Sequence, residues 1–430
     1  MEAVDKFNDG DNTSQVRRPT MKKILIAVLF LLLPISSFAA TLEVGSGKPY
    51  TTIQAAVNVA AAGDTILIYS GTYTDSCILS SCGGSYLSGD ASKKTNIMLK
   101  ANGTSGNKIT IKAAPGETVI VDGQSTTEFN VYGVSRQYYT IQGLTLKNYT
   151  QTSVEYTGSS PLSGEVTGNT IIGSLTVRGD RGIELQGNSS IISNNTLSFT
   201  SNFVGIDIYY ATSTMISGNT ITGGDYGIYV HNYTDGSVVE KNWLSSGSGS
   251  LTGIFFRDAD NLTIRNNVVK GSYSNYMIYY QDSTHISSGA KIHNNTLHCT
   301  GSADGIAESS TWAETTNNII YNCFVGIRGI DYSQLPLGQP GYNNIYGANY
   351  TYYDPSRSQG IWPVGIGNIT SDPQFVTPGT NYKLQSTSLA INAGDPSFKV
   401  PPSWGRVDMG RYEWTSSGVL PNEPTGFKVQ

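Results

Sequence analysis

The sequence predicts an all-β solenoid, a single stack of short strand coils, and three observations point to it. First, an Asn recurs in a phrase of alternating apolar residues at Asn169, Asn195, Asn219, Asn242, Asn267, Asn295, Asn318 and Asn344, with gaps of 26, 24, 23, 25, 28, 23 and 26 residues. Second, a Gly-Ile pair or its equivalent opens a strand at Gly182, Gly205, Gly227, Gly253, Met277, Gly305 and Gly326, in step with the asparagines. Third, charged residues make up only 14% of the chain, about half the usual share, while Gly reaches 48 and Tyr 27. Self-similarity at this period is the mark of stacked repeats.

Each unit reads as strands. In Gly205-Ile206-Asp207-Ile208-Tyr209 and Met215-Ile216-Ser217-Gly218-Asn219-Thr220-Ile221, apolar residues fall on every second position, the strand period. Gly, Asn, Ser and Thr interrupt the runs where the chain must turn. Three short strands fit in one unit, and coils stack at roughly 4.8 Å. An inward Asn in each coil can then pair with the Asn above and below, forming a ladder that satisfies otherwise costly buried amides. A solenoid is one continuous core, so the length of 430 residues does not imply several domains. The net charge of −5 comes without a basic stripe, which argues against nucleic acid.

Met21-Lys22-Lys23, the apolar run Ile24 to Leu33, and Ser36-Ser37-Phe38-Ala39-Ala40 have the layout of a secretory signal over residues 21–39. Ser37 and Ala39 occupy the −3 and −1 positions. The run is too short for a membrane span. Residues 1–20 read as a leader or an over-extended start, and the expected location is secreted or extracellular, with the periplasm as an option. Thr51-Thr52-Ile53-Gln54 matches a capping box. Ile53, Ala56, Val57 and Ala60 then form one helical face up to Gly63, so residues 51–62 are expected as an amphipathic helix capping the stack.

Cap helix, strand, Gly71-Thr72-Tyr73, Asn-bearing coils, and the C-terminal phrases Asp372-Pro373-Gln374-Phe375, Ser388-Leu389-Ala390-Ile391-Asn392-Ala393-Gly394-Asp395 and Asp408-Met409-Gly410-Arg411-Tyr412-Glu413 together resemble secreted right-handed parallel β-helix proteins of the pectate-lyase-like superfamily. The resemblance implies a right-handed parallel β-helix of about ten coils over residues 41–415, with 416–430 as a linker or tail. One fold of this kind hosts several chemistries.

Export permits disulfides. Cys77 and Cys82 bracket a Ser-rich loop and are expected to be bridged. Cys299 and Cys323 lie 24 residues apart, one coil; they are either bonded or stacked as small buried groups. No Cys or His spacing suggests zinc.

Aligning the Gly-Ile strands places outward side chains in two columns. The first holds Glu184, Asp207, Tyr229, Phe255, Tyr279, Ala307 and Arg328; the second holds Gln186, Tyr209, His231, Arg257, Gln281 and Ser309. Neighbours in a column lie about 5 Å apart. Asp207, Tyr229, His231 and Arg257 are therefore expected to share one solvent-facing patch, with Phe255 and the tyrosines as stacking surface for sugar rings. Gly173 to Arg181 reads as an inserted turn that would place Arg178 and Arg181 as a wall beside it. Further walls are expected from Asp331 to Tyr342 and from Tyr350 to Trp362.

A second resemblance falls on the same strand. Mannuronan epimerases and related alginate lyases carry Tyr-Gly-Phe-Asp-Pro-His; here the chain reads Tyr226-Gly227-Ile228-Tyr229-Val230-His231. Tyr226, Gly227 and His231 match, while Tyr229 and Val230 replace the catalytic Asp and the Pro.

The expected function is a polysaccharide lyase acting on a uronate-containing, acidic polymer. Such an elimination needs a base, a cation to neutralise the developing enolate, and an acid for the leaving oxygen. The candidates are His231 or Tyr229 as base or acid and Arg257 as the cation, with Asp207 and Glu184 orienting them or holding Ca²⁺. Glu184, Tyr209, Phe255, Tyr279, Gln281, Arg178, Arg181 and Arg328 are the candidate substrate-binding residues. Two alternatives are a glycoside hydrolase using Glu184 and Asp207 as paired carboxylates and a non-catalytic binding protein. The mature chain is expected to be monomeric, without a membrane span.

Overall fold

A computed structural model describes residues 39–158, 163–173, 180–200, 203–281, 288–309, 313–330, 340–355, 365–398 and 406–415. The signal segment, the leader, the 416–430 tail and Arg178 lie outside the described residues. The chain winds as a parallel β-helix. A typical coil runs Met215–Ser217, Thr220–Thr222, Tyr226–His231, and the next runs Val238–Glu240, Trp243–Ser245, Thr252–Arg257. Each strand pairs in parallel with its counterpart one coil on: Ile216 with Val239, Ile221 with Leu244, Ile228 with Ile254. Three sheets result. The first has eleven strands, from Thr41–Val44 to Ala313–Thr316, so the stack has about eleven turns rather than ten. Among the described residues, no helix is long and apolar enough to cross a membrane.

The interior is a continuous column of Ile, Val, Leu and Phe, nearly all fully buried. The first and second sheets meet at a tight turn, and the buried asparagines sit there. Asn219 shows the pattern: its Nδ2 donates to Asn242 Oδ1 (3.0 Å) and to the Ile192 carbonyl (2.9 Å). Its Oδ1 accepts from the backbone N–H (3.0 Å) and Nδ2 (2.9 Å) of Asn195. The same bonds link Asn169, Asn195, Asn219, Asn242, Asn267, Asn295 and Asn318. The next position is Asn343, not Asn344: Asn318 Nδ2 donates to Asn343 Oδ1 (3.0 Å), and Asn343 N–H to Asn368 Oδ1 (2.8 Å). The reason is local. The residue before each of these asparagines has left-handed backbone, as at Asn194, Asn266, Asn294 and Asn317, and Tyr342 (φ 54°) takes that place in the last coil. Asn344 already belongs to the following strand, paired with Ile319.

The recurrent glycines mark the entry to the third sheet. A Cβ on Gly205 would lie 2.4 Å from the Gly227 carbonyl oxygen and 3.0 Å from Ile221, and one on Gly227 would lie 2.7 Å from the Gly253 oxygen. Glycine and the following isoleucine both face inward there. The strands begin earlier than the glycine, at Asp180, Phe203, Tyr226, Thr252, Tyr276 and Asp304.

The expected helix is present but short, Ile53–Val57, with Thr52 Oγ1 accepting from Ala55 N–H and Ile53, Ala56 and Val57 buried. Both cysteine pairs are disulfides, Cys77–Cys82 and Cys299–Cys323.

Two segments cover the outside of the sheets. The C-terminal segment, with the hairpin Phe375–Thr377 and Asn381–Leu384, packs Phe375, Tyr382, Leu384, Ala390 and Met409 on Val268 and Ile319 of the second sheet. His298 bonds the Tyr382 hydroxyl (2.8 Å), and burial lowers its pKa. Near the N-terminus, Leu79 and Cys82 pack on Met98, Phe129 and Tyr132, covering the start of the third sheet.

Candidate active site

The outer face of the third sheet carries the expected columns in register. Glu184 pairs with Asp207, Asp207 with Tyr229, Tyr229 with Phe255, Phe255 with Tyr279, Tyr279 with Ala307, and Ala307 with Arg328. In the second column Tyr209, His231, Arg257, Gln281 and Ser309 follow one another. A third outward column precedes the glycines: Arg181, Val204, Tyr226, Thr252, Tyr276 and Asp304. Sequence alignment on Gly-Ile missed it because it placed the strand starts one or two residues late.

Arg181 is therefore a strand residue within Asp180–Leu185, not part of a turn. Its position one column across lets it reach Asp207 on the next coil: Nε lies 2.6 Å from Asp207 Oδ2 and 3.5 Å from Glu184 Oε2. The other oxygen of Asp207 meets His231 Nε2 at 2.9 Å. Asp207 is only 1% exposed. It is thus a buried carboxylate clamped between a guanidinium and an imidazole rather than a solvent-facing group. His231 is stacked on Tyr229, ring centroids 4.1 Å apart, and on Tyr209 at 5.5 Å. Its Nδ1 is buried without a hydrogen-bond partner. Arg257 follows His231 in the column, with its guanidinium 5.9 Å from the Tyr229 ring centre. Its Nε is 3.7 Å from Asp258 Oδ2, too long for a hydrogen bond.

The first column continues upstream to Glu155 and Tyr132. Glu155, Glu184 and Asp207 form a run of three carboxylates on successive coils. Glu155 is buried, and burial, then Glu184 and Asp90, raise its pKa to about 8. Burial also raises Glu184, against the pull of Arg181. Glu155 has no sequence signal of the kind used for the others. It lies in the long strand Thr145–Thr157, which lacks a Gly-Ile opener. Upstream of it, Tyr132 hydrogen-bonds Asp90 (2.8 Å), and Lys93 pairs with Asp90 (2.6 Å), closing that end of the face.

The aromatic residues do not offer the stacking surface expected. Tyr229, Phe255 and Tyr279 stack on one another at 4.8 and 4.9 Å with planes within 7°. Successive rings cover each other's faces and present edges outward, and Phe255 is buried. Arg328 belongs to a separate group, paired with Asp304 and lying over Tyr353 (4.9 Å). Among the described residues, no group of three or more His, Cys, Asp or Glu is arranged to hold a metal ion. Both oxygens of Asp207 are already engaged, so the expected Ca²⁺ position at Asp207 and Glu184 is occupied by Arg181.

Stacked parallel coils, inward asparagines and a polar outer face make this chain a parallel β-helix, similar to right-handed helices of the pectate-lyase-like kind. The Pel9A-like, right-handed beta helix region model matches residues 39–220, and the right-handed beta helix region model matches residues 163–339. Among solved structures, pectate lyase Pel9A is similar at 14% identity, covering 89% of this chain and 98% of that one, with a TM-score of 0.46. The PL6 family polysaccharide lyase Pedsa3628 from Pseudopedobacter saltans is similar at 13% identity, covering 84% and 100%, with a TM-score of 0.45. An alginate lyase from Paenibacillus sp. str. FPU-7 is similar at 14% identity, covering 77% and 98%, with a TM-score of 0.36. No curated protein matches the sequence.

Proposed function

We propose that the protein is a secreted polysaccharide lyase that cleaves a uronate-containing polymer by β-elimination on the outer face of the third sheet. The observation that carries this is the Arg181–Asp207–His231 constellation beside Arg257. Asp207 fixes a proton on His231 Nε2 and leaves the Nδ1 lone pair as base for the proton beside the sugar carboxylate. Because Nδ1 is buried, the imidazole must turn outward about its Asp207 bond to reach the sugar. Arg257, the least committed cation of the patch, neutralises the charge that develops on that carboxylate. Burial raises the pKa of Tyr229, so its phenol stays protonated and serves as the acid. The C–H electron pair becomes the new C=C bond, the C–O bond to the next sugar breaks, and Tyr229 protonates the departing oxygen. Asp207 acts by positioning Arg181 and His231, and does not itself meet the substrate.

Paired-carboxylate hydrolysis fits less well, because Asp207 is buried and bonded at both oxygens, while Glu184 is held by Arg181 and Tyr209. Secretion is favoured by two closed disulfides and no free cysteine among the described residues. A screen over pectate, alginate, glycosaminoglycans and neutral glycans tests the proposal. A lyase yields ultraviolet-absorbing unsaturated ends on an acidic polymer. New reducing ends without that absorbance would replace it by hydrolysis, and neither signal on any polymer would leave a binder.

A further inference from the structure

A second polar pocket lies away from the third sheet. It is a cavity of about 470 Å³ on the outside of the second sheet, lined by Gly218, Asn219, Thr220, Lys241, Trp243 and Arg411. Its origin is the edge of the C-terminal segment. That segment buries Val268 and Ile319 completely, and Arg411 reaches back to the coil of Asn242, donating to the Asn242 and Lys241 carbonyls at 2.9 and 3.1 Å. One coil earlier the cover stops, and Thr220 is exposed. Trp243 stands at this step, half-buried, with Thr220 before it in the column and the covered Val268 after it. Lys270 lies 5.4 Å from its ring centre and donates to the Gly379 carbonyl (2.7 Å). Lys241 forms the opposite lip, at the turn position with left-handed backbone (φ 57°).

The column makes Trp243 and Lys241 unusual. The strand positions equivalent to Trp243 are Thr196, Thr220 and Val268. The turn positions equivalent to Lys241 are Gly168, Asn194, Gly218 and Asn266. Small polar or apolar residues satisfy the fold there, and left-handed backbone is cheapest for Gly and Asn. Here a lysine stands at the strained turn, and the indole beside it packs at the edge of the C-terminal segment, its ring centre 5.8 Å from that of Tyr382.

The geometry points to a second, non-catalytic saccharide site here, which takes an acidic sugar. The carboxylate meets Lys241 and the guanidinium edge of Arg411, and the ring lies along the indole of Trp243, a residue type suited to surfaces with one apolar and one wet side. Recognition is charge-assisted, so neutral glycans are poor ligands. The polymer class rests on the proposed lyase reading, but the site stands on a different sheet from His231. It would hold an acidic chain on the protein while the third sheet works on another stretch of it.

The test uses variants that copy neighbouring coils and so should fold. Lys241→Asn matches Asn194 and Asn266, and Trp243→Thr matches Thr196 and Thr220. Retention in native gels cast with pectate or alginate is measured against gels cast with a neutral dextran, with melting temperature and turnover on short acidic oligosaccharides recorded for each protein. The expected result is retention of the parent protein by an acidic polymer but not by dextran. Each variant should weaken apparent affinity by about tenfold, the scale of one charge-assisted contact, with turnover on oligosaccharides unchanged in both. Lys241→Asn should melt like the parent, while Trp243→Thr gives up its packing beside Tyr382 and should melt lower, so its gels are run well below that temperature. Retention of both variants equal to the parent would overturn the site, as would a parent held equally by dextran or by no acidic polymer. Loss of turnover in His231→Ala has no bearing on these gels, so failure of this site and failure of the lyase reading are separable.

Discussion

Glu155 is the residue whose burial has the clearest consequence in solution. Its pKa of about 8 in the folded protein exceeds the usual glutamate value of about 4.3 in an unfolded chain. The folded state thus holds a proton that the unfolded state has released across that interval. Stability is greatest below about pH 4.3 for this group and falls as pH rises toward about 8. Glu155→Gln keeps the shape without the titration. Melting curves from pH 5 to 9 should show the variant gaining on the parent as pH rises, and identical pH profiles would mean that Glu155 is not the group responsible. Glu155 was not legible in the sequence, because nothing in Ser153-Val154-Glu155-Tyr156 repeats the phrase that revealed its neighbours. Asn343 was missed for a related reason. In Asn194-Asn195, Asn266-Asn267, Asn294-Asn295 and Asn317-Asn318 the stacked residue is the second of the pair, while in Asn343-Asn344 it is the first, since Tyr342 has taken the left-handed turn.

At the scale of the element, the turn between the first two sheets is held by side chains rather than by backbone alone. Asn219→Leu removes the acceptor for the Asn195 N–H and Nδ2 and the donor to the Ile192 carbonyl. Asn195 Nδ2 keeps the Val166 carbonyl (2.8 Å), but its backbone N–H loses the Asn219 Oδ1 acceptor. The expected cost is about 1–3 kcal/mol for each buried group left unpaired. A urea titration should show a lower midpoint at unchanged slope, and an unchanged midpoint would show that the turn holds without these bonds. Coil and column were legible because a strand period of two fixes which side each residue faces. What parity could not reveal is how much of a face its own side chains occupy. Tyr229, Phe255 and Tyr279 stand in the expected column, yet a spacing near 5 Å suits ring-on-ring packing, and their faces are spent on each other.

Over the whole molecule, each sheet has a different fate. The C-terminal segment seals much of the second sheet and takes up His293 and His298, which burial holds low in pKa, His293 to about 4. The loop around Cys77–Cys82 seals the start of the third. The middle of the third sheet keeps its half-buried polar face, and that is where Arg181, Asp207, His231 and Arg257 meet. The convergence of Asp207, His231 and Arg257 on neighbouring coils was legible from the glycine phrase, whereas Arg181 was read as part of a turn. The clamp on Asp207 was not, because it runs diagonally between two columns and only a structure fixes that step. The most direct test is turnover of an acidic polymer by His231→Ala and Arg257→Ala beside the parent protein, read as ultraviolet absorbance of unsaturated ends. Both should fall by at least about 100-fold. Arg257→Ala should melt close to the parent, while His231→Ala should melt lower because it leaves one oxygen of the buried Asp207 unpaired, so turnover is read well below both melting temperatures. Parent-like turnover in both variants would contradict a site on this face.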